Sequence, residues 1–305
     1  MSKMGIIHVP RRVGRTVPLL AGLAACIAVF AFAAPAMALK PTGDYVNFGD
    51  CPLKNPSVAL CVFATTTSGE FKIGSTQVPL SKTVTLQGGL ILIEELSVVQ
   101  FVPAEDGNTL SKTPQTVPGG LLKILAPTGW PEILRNIFNE FINKGITGVT
   151  ATTELVGPVG ISVANELNGT GTALTLPIRV HLENTFLGPS CYIGSKTKPV
   201  TVDFTTGTTS PPPPNTPISG SVGELTAKDG GNIIAVNKNS LVNNSFAAPV
   251  AEGCGSQILF GLFTGIIDSA VDSQLGLPSA AGHNTAILNG KQELGVVTAV
   301  KESEK

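Results

Sequence analysis

The sequence predicts a mainly β protein, an antiparallel β-sandwich or partly closed barrel carrying two short helices. Three observations lead there. Charged residues make up only 13% of the chain, while Gly, Thr, Pro and Val are plentiful, a composition that favours strands and turns over helices. The stretch LTLPIRVHL, from Leu174 to Leu182, alternates apolar and polar residues without a break. Short β-prone segments separated by glycine turns recur along the chain, as in sandwiches and barrels.

In chain order, the first element is an export signal. Arg11, Arg12 and Arg15 precede an apolar run from Val17 to Ala34, which ends at Ala36-Met37-Ala38. A basic region, an apolar region and an A-x-A site in that order predict cleavage after Ala38. Two alternatives stand beside it. Leu23-Ala24-Ala25-Cys26 has the form of a lipid-attachment box, but the greasy run continues past Cys26 where a polar tether belongs. The run is also about long enough to stay in a bilayer as an anchor, against which Pro35 and its small neighbours argue. The arginine pair lacks the rest of a twin-arginine motif, so ordinary unfolded secretion is expected. Residues 1–38 are read as the signal peptide and 39–305 as one β-rich, disulfide-closed domain.

Lys3, Arg11, Arg12 and Arg15 leave with the signal and no acid does, so the net charge of −1 becomes −5. A mildly acidic chain without a basic run has no electrostatic footprint for nucleic acid. Cys51, Cys61, Cys191 and Cys254 remain, an even set suited to two disulfides in an oxidising compartment. Of the three connectivities the nearest-neighbour pairing is favoured. PLKNPSVAL, between Cys51 and Cys61, can fold back on itself at its Asn-Pro turn, leaving Cys191 to pair with Cys254. By chain entropy the short bridge is worth about 3 kcal/mol and the long one about 4 kcal/mol. A four-cysteine metal site is disfavoured, because no CxxC pair exists and only His181 and His283 could assist.

In LTLPIRVHL, Leu174, Leu176, Ile178, Val180 and Leu182 face one way, while Thr175, Pro177, Arg179 and His181 face the other. Pro177 cannot donate to a ladder, which places this strand at an edge or at a bulge. Further strands are expected at KTVTL, LILIEEL, SVVQFV, GVTATTEL, GISVANEL, PVTVDF, NIIAV, NTAIL and GVVTAV. Gln87-Gly88-Gly89, Asn168-Gly169 and Asn289-Gly290 read as turns between strands, giving three segments a shared hairpin grammar.

Two helices interrupt the strands. PEILRNIFNEFINKG has Pro131 at its start, Glu132 in the first turn, Lys144 in the last and Gly145 as terminator. Leu134, Ile137, Phe138, Phe141 and Ile142 form its apolar stripe, and Trp130 is expected to pack beneath its entry. SQILFGLFTGIIDSAVDSQLG, apolar from Ile258 to Ile267, is read as a helix buried against the sheet, with Leu259, Phe260, Phe263, Ile266 and Ile267 out of water. The alternative is a segment, residues 256–275, that rests on or enters a membrane. The proline run Pro211–Pro214 must be extended as polyproline II. Residues 207–217 are therefore a hinge between two parts or a stiff connection within one body, and a Cys191–Cys254 bridge across them favours one body.

Familiar catalytic signatures are missing: no G-x-S-x-G elbow, H-E-x-x-H, P-loop or dinucleotide glycine fingerprint occurs, so no cofactor is expected. Ser195-Lys196-Thr197-Lys198 matches S-x-x-K without its partner motifs and reads as a solvated loop. Glu94-Glu95 and Glu105-Asp106 are adjacent acids. Neighbours on a strand face opposite sides, so neither pair flanks a scissile bond. His181, between Arg179 and Glu183 on one face, could serve acid/base chemistry but more simply forms a charge ladder. His283, in a glycine-marked turn, reads as turn chemistry.

The segments DGNTLSKTPQTVPGGLL, VHLENTFLGPSCYIGS, TTGTTSPPPPN and GLPSAAGHNTAILNG together resemble a group of uncharacterised secreted proteins of actinobacterial type. The resemblance covers most of residues 39–305 and implies a secreted or wall-associated protein, bringing no activity and no site residues. The expected function is an exported, non-enzymatic binding or structural protein, its partner an envelope or extracellular ligand and not nucleic acid. The alternatives are an extracellular hydrolase assembled from distant residues, with His181 first, and a membrane-interacting protein acting through residues 256–275.

Overall fold

A computed structural model describes residues 39–93, 98–125 and 127–305. Residues 1–38, on which the expected signal peptide and Cys26 fall, and the Glu94–Glu95 pair lie outside the described residues. Residues 39–305 form one compact unit. In chain order the strands begin with β1 (Leu60–Ile73), β2 (Thr76–Pro79), β3 (Val84–Ile93), β4 (Val98–Pro103), β5 (Gln115–Thr116), β6 (Thr150–Leu155) and β7 (Gly160–Ile161). They continue with β8 (Leu174–Glu183), β9 (Tyr192–Ile193), β10 (Val200–Phe204), β11 (Glu224–Lys228), β12 (Ile233–Asn243), β13 (Ala251–Glu252) and β14 (Thr285–Val296). The α-helices are α1 (Gly120–Ile124), α2 (Glu132–Asn143), α3 (Val163–Asn168), α4 (Thr264–Leu275) and α5 (Val297–Glu302).

The strands make two antiparallel sheets, consistent with a β-sandwich and not closed into a barrel. One sheet runs β11-β12-β14-β1-β3-β4, with β2 on β1; the other runs β13-β9-β8-β6-β5, with β7 and β10 also on β8. The main core joins their facing sides, from Phe71, Leu86 and Ala286 to Leu174–Leu182, Phe204 and α4. A smaller cluster lies on the other face of the first sheet, where Tyr45, Phe48, Val297 and Val300 cover Cys61 and Ile233.

Strand β8 keeps the expected alternation, with Leu174, Leu176, Ile178, Val180 and Leu182 all buried. Its expected edge position is corrected, since it pairs on both sides. The proline is accommodated by a gap. The Pro177 carbonyl accepts from the Val156 N–H at 3.0 Å, so its nitrogen faces the same neighbour. That neighbour leaves the ladder between Leu155 and Gly160, where no donor is wanted.

Two expected turns are strand interior. Gln87-Gly88-Gly89 lies within β3, which merges KTVTL and LILIEEL into one strand beginning at Val84, and Asn289-Gly290 lies within β14. Glycine serves close approach here: a Cβ on Gly88 would sit 2.4 Å from the Val102 carbonyl oxygen, and one on Gly290 1.8 Å from that of Thr65. Asn168-Gly169 is a turn of another kind, the left-handed C-terminus of α3. GISVANEL, expected as a strand, is helical after Ile161 because the Ser162 hydroxyl accepts from the Asn165 N–H and caps it. GVVTAV likewise becomes α5 beyond Val296. The Pro211–Pro214 run is not polyproline II throughout; it turns at Pro213-Pro214, where the peptide bond is cis. The segment is tied to the body by Asn215, whose side chain donates to the Asn244 and Asn284 carbonyls.

Helix α2 forms where its stripe predicts, with Leu134 and Phe138 buried and Trp130 stacked on Phe186 and edge-on to Phe138. The disulfides are Cys51–Cys61 and Cys191–Cys254, bonds that belong to an oxidising, non-cytoplasmic environment. No described helix is long and apolar enough to cross a membrane.

The buried helix expected over Ile258–Ile267 is corrected. Residues Ile258–Gly261 make a short 3-10 turn with Leu259 and Phe260 in the left-handed region, and α4 starts only at Thr264. Ile258, Phe263 and Ile267 are buried, while Phe260 and Leu262 are exposed and Leu259 and Ile266 partly so. The kink divides one apolar run into a packed half and a solvent-facing half. Phe263→Ala is expected to cost about 3–5 kcal/mol in denaturant unfolding, whereas Phe260→Ala should leave the midpoint unchanged. An equal loss at Phe260 would mean that the segment packs as one piece.

Candidate functional site

The sheets do not pack flush. Two adjoining cavities, of about 70 Å³ and about 60 Å³, lie between them. The first is walled by Leu174, Leu176 and Ile178 of β8, the second by Val180 and Leu182, so the pair follows the strand from end to end. At roughly 3.3 Å per residue the stripe spans on the order of 25 Å. Phe71, Leu80, Val84 and Thr153 line both cavities, so the two lobes of this chamber adjoin at those four residues.

Local sequence explains the gap. Strand β1 bulges at Thr67, opposite the Asn289-Gly290 step of β14, and β12 bulges at Lys238, which adopts positive φ, opposite the Gly290-Lys291 step. Bulges bend a sheet and disrupt its ladder. Thr66, Asn239 and Gly290, flanking these bulges, line the first cavity. At the far end, Leu275 of α4 and Ile193 of β9 line the second. Asp268 and Asp272 of α4 accept from the backbone N–H groups of Cys254 and Ala251, each at 2.7 Å, and Cys254 is bonded to Cys191 beside β9. The disulfide and the two aspartates therefore hold that end wall.

One acid sits in this apolar box. Glu166 of α3 lines the first cavity and is 3% exposed. Its Oε2 accepts from Gln292 Nε2 at 3.2 Å, while the buried Oε1 has no hydrogen-bond partner. The Thr206 hydroxyl donates to the Glu166 carbonyl at 2.6 Å and fixes this turn of helix. Burial pushes the Glu166 carboxyl up from its ordinary value, against weaker opposing effects of the Gln292 hydrogen bond and the nearby Asn239 amide. In the second cavity Thr76 Oγ1 is likewise buried without a partner.

The residues singled out from sequence lie elsewhere, and none lines the chamber. His181 stands on the opposite face of β8, stacked on Tyr192 at 4.4 Å, and the Arg179 guanidinium covers the same ring at 3.9 Å. His181 Nδ1 is 3.6 Å from Glu183 Oε1, Arg179 donates to Glu154 at 2.6 and 2.9 Å, and Lys112 approaches Glu154 at 3.7 Å. Burial raises the Glu154 carboxyl, but the Arg179 hydrogen bond and charge, with Lys112, outweigh it and hold the group below the usual range. This is a cross-strand ladder, and no hydroxyl or thiol bonds to His181 among the described residues. The Ser195 hydroxyl accepts from the Lys198 N–H in an exposed loop, His283 is exposed in its turn, and Glu105-Asp106 form an exposed turn in which Glu105 pairs with Lys54. Glu166 escapes a sequence reading that takes GISVANEL as a strand; its signal is an acid one turn past a Ser cap.

Comparison with protein-family models, curated proteins and solved structures finds no match. The site is therefore read from its own residues.

Because the folded state raises the Glu166 carboxyl, that group's contribution to stability is full at low pH and is lost as pH rises through the folded value. Asp268 and Asp272, also pushed up by burial, act alike in any Glu166 variant. Urea unfolding from about pH 4 to about pH 8 should show a decline in the wild type that Glu166→Gln flattens. Parallel profiles would mean that Glu166 is ionised in its pocket.

Proposed function

We propose that this chain is an exported, non-enzymatic binding protein of the cell envelope or extracellular space, and that its ligand is a slim apolar chain held between the sheets. One observation carries the reading: an apolar chamber, narrow and roughly a strand long, follows the whole stripe of β8. The signal pattern, the disulfides and the resemblance to secreted proteins support export. Each methylene taken from water into such a chamber contributes about 0.8 kcal/mol, so length compensates for the lack of polar contacts. An engineered apolar cavity of about 150 Å³ takes up benzene, and the two cavities together approach that volume in an elongated form.

The place where the two lobes adjoin is the place to test it. Thr153→Phe adds bulk to a wall that both cavities share. It is expected to weaken binding of a small fluorescent apolar probe at least ~10-fold, a loss of about 1.4 kcal/mol, while circular dichroism stays unchanged. Wild-type protein that takes up no probe, or a folded variant that binds it equally well, would remove the chamber as the site.

A second reading rests on the solvent-facing half of the 258–267 run. Leu259, Phe260 and Leu262 present large apolar side chains to solvent at a kinked turn, and a lipid surface is the partner that fits them. No Lys or Arg lies between Val250 and Gly290, so the contact would be with neutral lipid. Co-sedimentation with phosphatidylcholine vesicles should be reduced by Phe260→Ser without change in Tm. Absence of wild-type binding would end this reading and leave the chamber untouched.

A further inference from the structure

The chamber, if it holds a chain, must also meet that chain's end, and Glu166 is the group placed to do so. Its Oε2 is occupied by Gln292, its Oε1 is free, and the residue is 3% exposed. No Lys, Arg or His forms an ion pair with it among the described residues; Lys291, the cation that lines the same cavity, is exposed and is not bonded to it. An ionised carboxylate without a cation in such a place carries a large desolvation cost, so burial here favours the neutral acid. A neutral carboxyl has one O–H to donate. With Gln292 donating to Oε2, Oε1 is the oxygen left to carry the O–H, and no hydrogen bond of the folded chain engages it.

We propose that Glu166 is the ligand-recognition residue of the chamber, and that its ligand is an acyl chain ending in a neutral carbonyl, whose oxygen accepts a hydrogen bond from the Glu166 carboxyl. The inference rests on the chamber reading above and goes further by naming the ligand's polar end. An alkane offers no acceptor and leaves the O–H unpaired. An ionised fatty acid or phosphate would bring a negative charge beside the buried carboxyl, where the lining cation, Lys291, is exposed and screened by water. An ester, or a fatty acid in its protonated form, brings an uncharged acceptor at the end of an apolar chain. Asn239 and Gln292 are held beside the carboxyl by the bulged step of the first sheet, so the polar end of the chamber is fixed before the ligand arrives.

The test compares methyl pentanoate, hexane and pentanoate ion, chains scaled to cavities of about 70 and about 60 Å³, on full-length exported protein by displacement of a small neutral fluorescent probe. The ester is expected to bind about tenfold more tightly than the alkane, the factor that one hydrogen bond satisfying a buried group is worth, and the ion more weakly than the ester. Glu166→Leu should bind the alkane as well as wild type does and lose the ester's advantage, and Glu166→Gln, which keeps an N–H donor, should retain most of it. The carbonyl stretch of bound methyl pentanoate should lie at lower frequency in the wild type than in Glu166→Leu. Equal affinity for ester and alkane in the wild type, or an unshifted carbonyl stretch, would overturn the role of Glu166 while leaving the chamber in place. Failure of the wild type to bind either chain would instead overturn the chamber. If Glu166→Leu does not fold, the wild-type ratio and the Glu166→Gln carbonyl stretch decide the matter.

Discussion

The packing of the β8 stripe against the facing sheet is the contact on which the rest of the structure depends. Leu174, Leu176, Ile178, Val180 and Leu182 are buried members of the main core, and the same five side chains wall the chamber along its length. Core and site are thus one surface used twice. A sheet face this apolar must be covered, yet the covering sheet is bent at Thr67 and Lys238 and cannot lie flush against it. What remains is a gap along the stripe, divided where Phe71, Leu80, Val84 and Thr153 line both cavities.

How legible this was depends on whether a residue's meaning is local. The alternation in β8, the amphipathic stripe of α2 and the short loop between Cys51 and Cys61 are local facts, and each forms as the residues suggest. Glycine is different. Gly88 and Gly290 look like turn glycines because a turn and a close strand approach make the same demand, the absence of a Cβ. Only the partner strand, with its carbonyl 2.4 or 1.8 Å from where the Cβ would be, tells them apart. Strand β1 lies at the centre of its sheet with neighbours on both sides, and its sequence LCVFATTTSGEFKI shows no strict alternation to announce it. The Ile258–Ile267 run fails for a related reason. Hydropathy records that a side chain is apolar, but a left-handed turn at Leu259 and Phe260 decides that half of the run leaves the core.

Glu166 shows the same limit on the functional side. Its neighbours in sequence form a short Ser-capped helix that reads equally as strand, and its significance comes from residues far along the chain. Gln292 sits 126 positions away, and the apolar walls come from both sheets. His181 had the more suggestive sequence context, a histidine between a cation and an acid on one face. In the fold, His181 and Arg179 both lie over Tyr192 on the outer face of β8, and although His181 Nε2 is buried without a partner, it opens onto neither cavity. What sets Glu166 apart is that its unpartnered oxygen belongs to a residue lining an apolar cavity, where a ligand can meet it.

Leaving the chamber unfilled has an energetic consequence that bears on how the molecule is held together. At about 24 cal/mol per Å³ of unfilled core, cavities of about 70 and about 60 Å³ forgo roughly 3 kcal/mol of packing. That is a sizeable share of a domain's usual margin of about 5–15 kcal/mol. The offsetting constraints sit at the ends of the gap and not within it. Cys191–Cys254 restrains β9 and the approach to α4, while Asp268 and Asp272 draw the same backbone onto the helix. A covalent tie is suited to this place, because it stabilises by restricting the unfolded chain and asks nothing of the packing between the sheets. The sandwich can therefore keep an opening along its middle only because its far end is tied shut by other means.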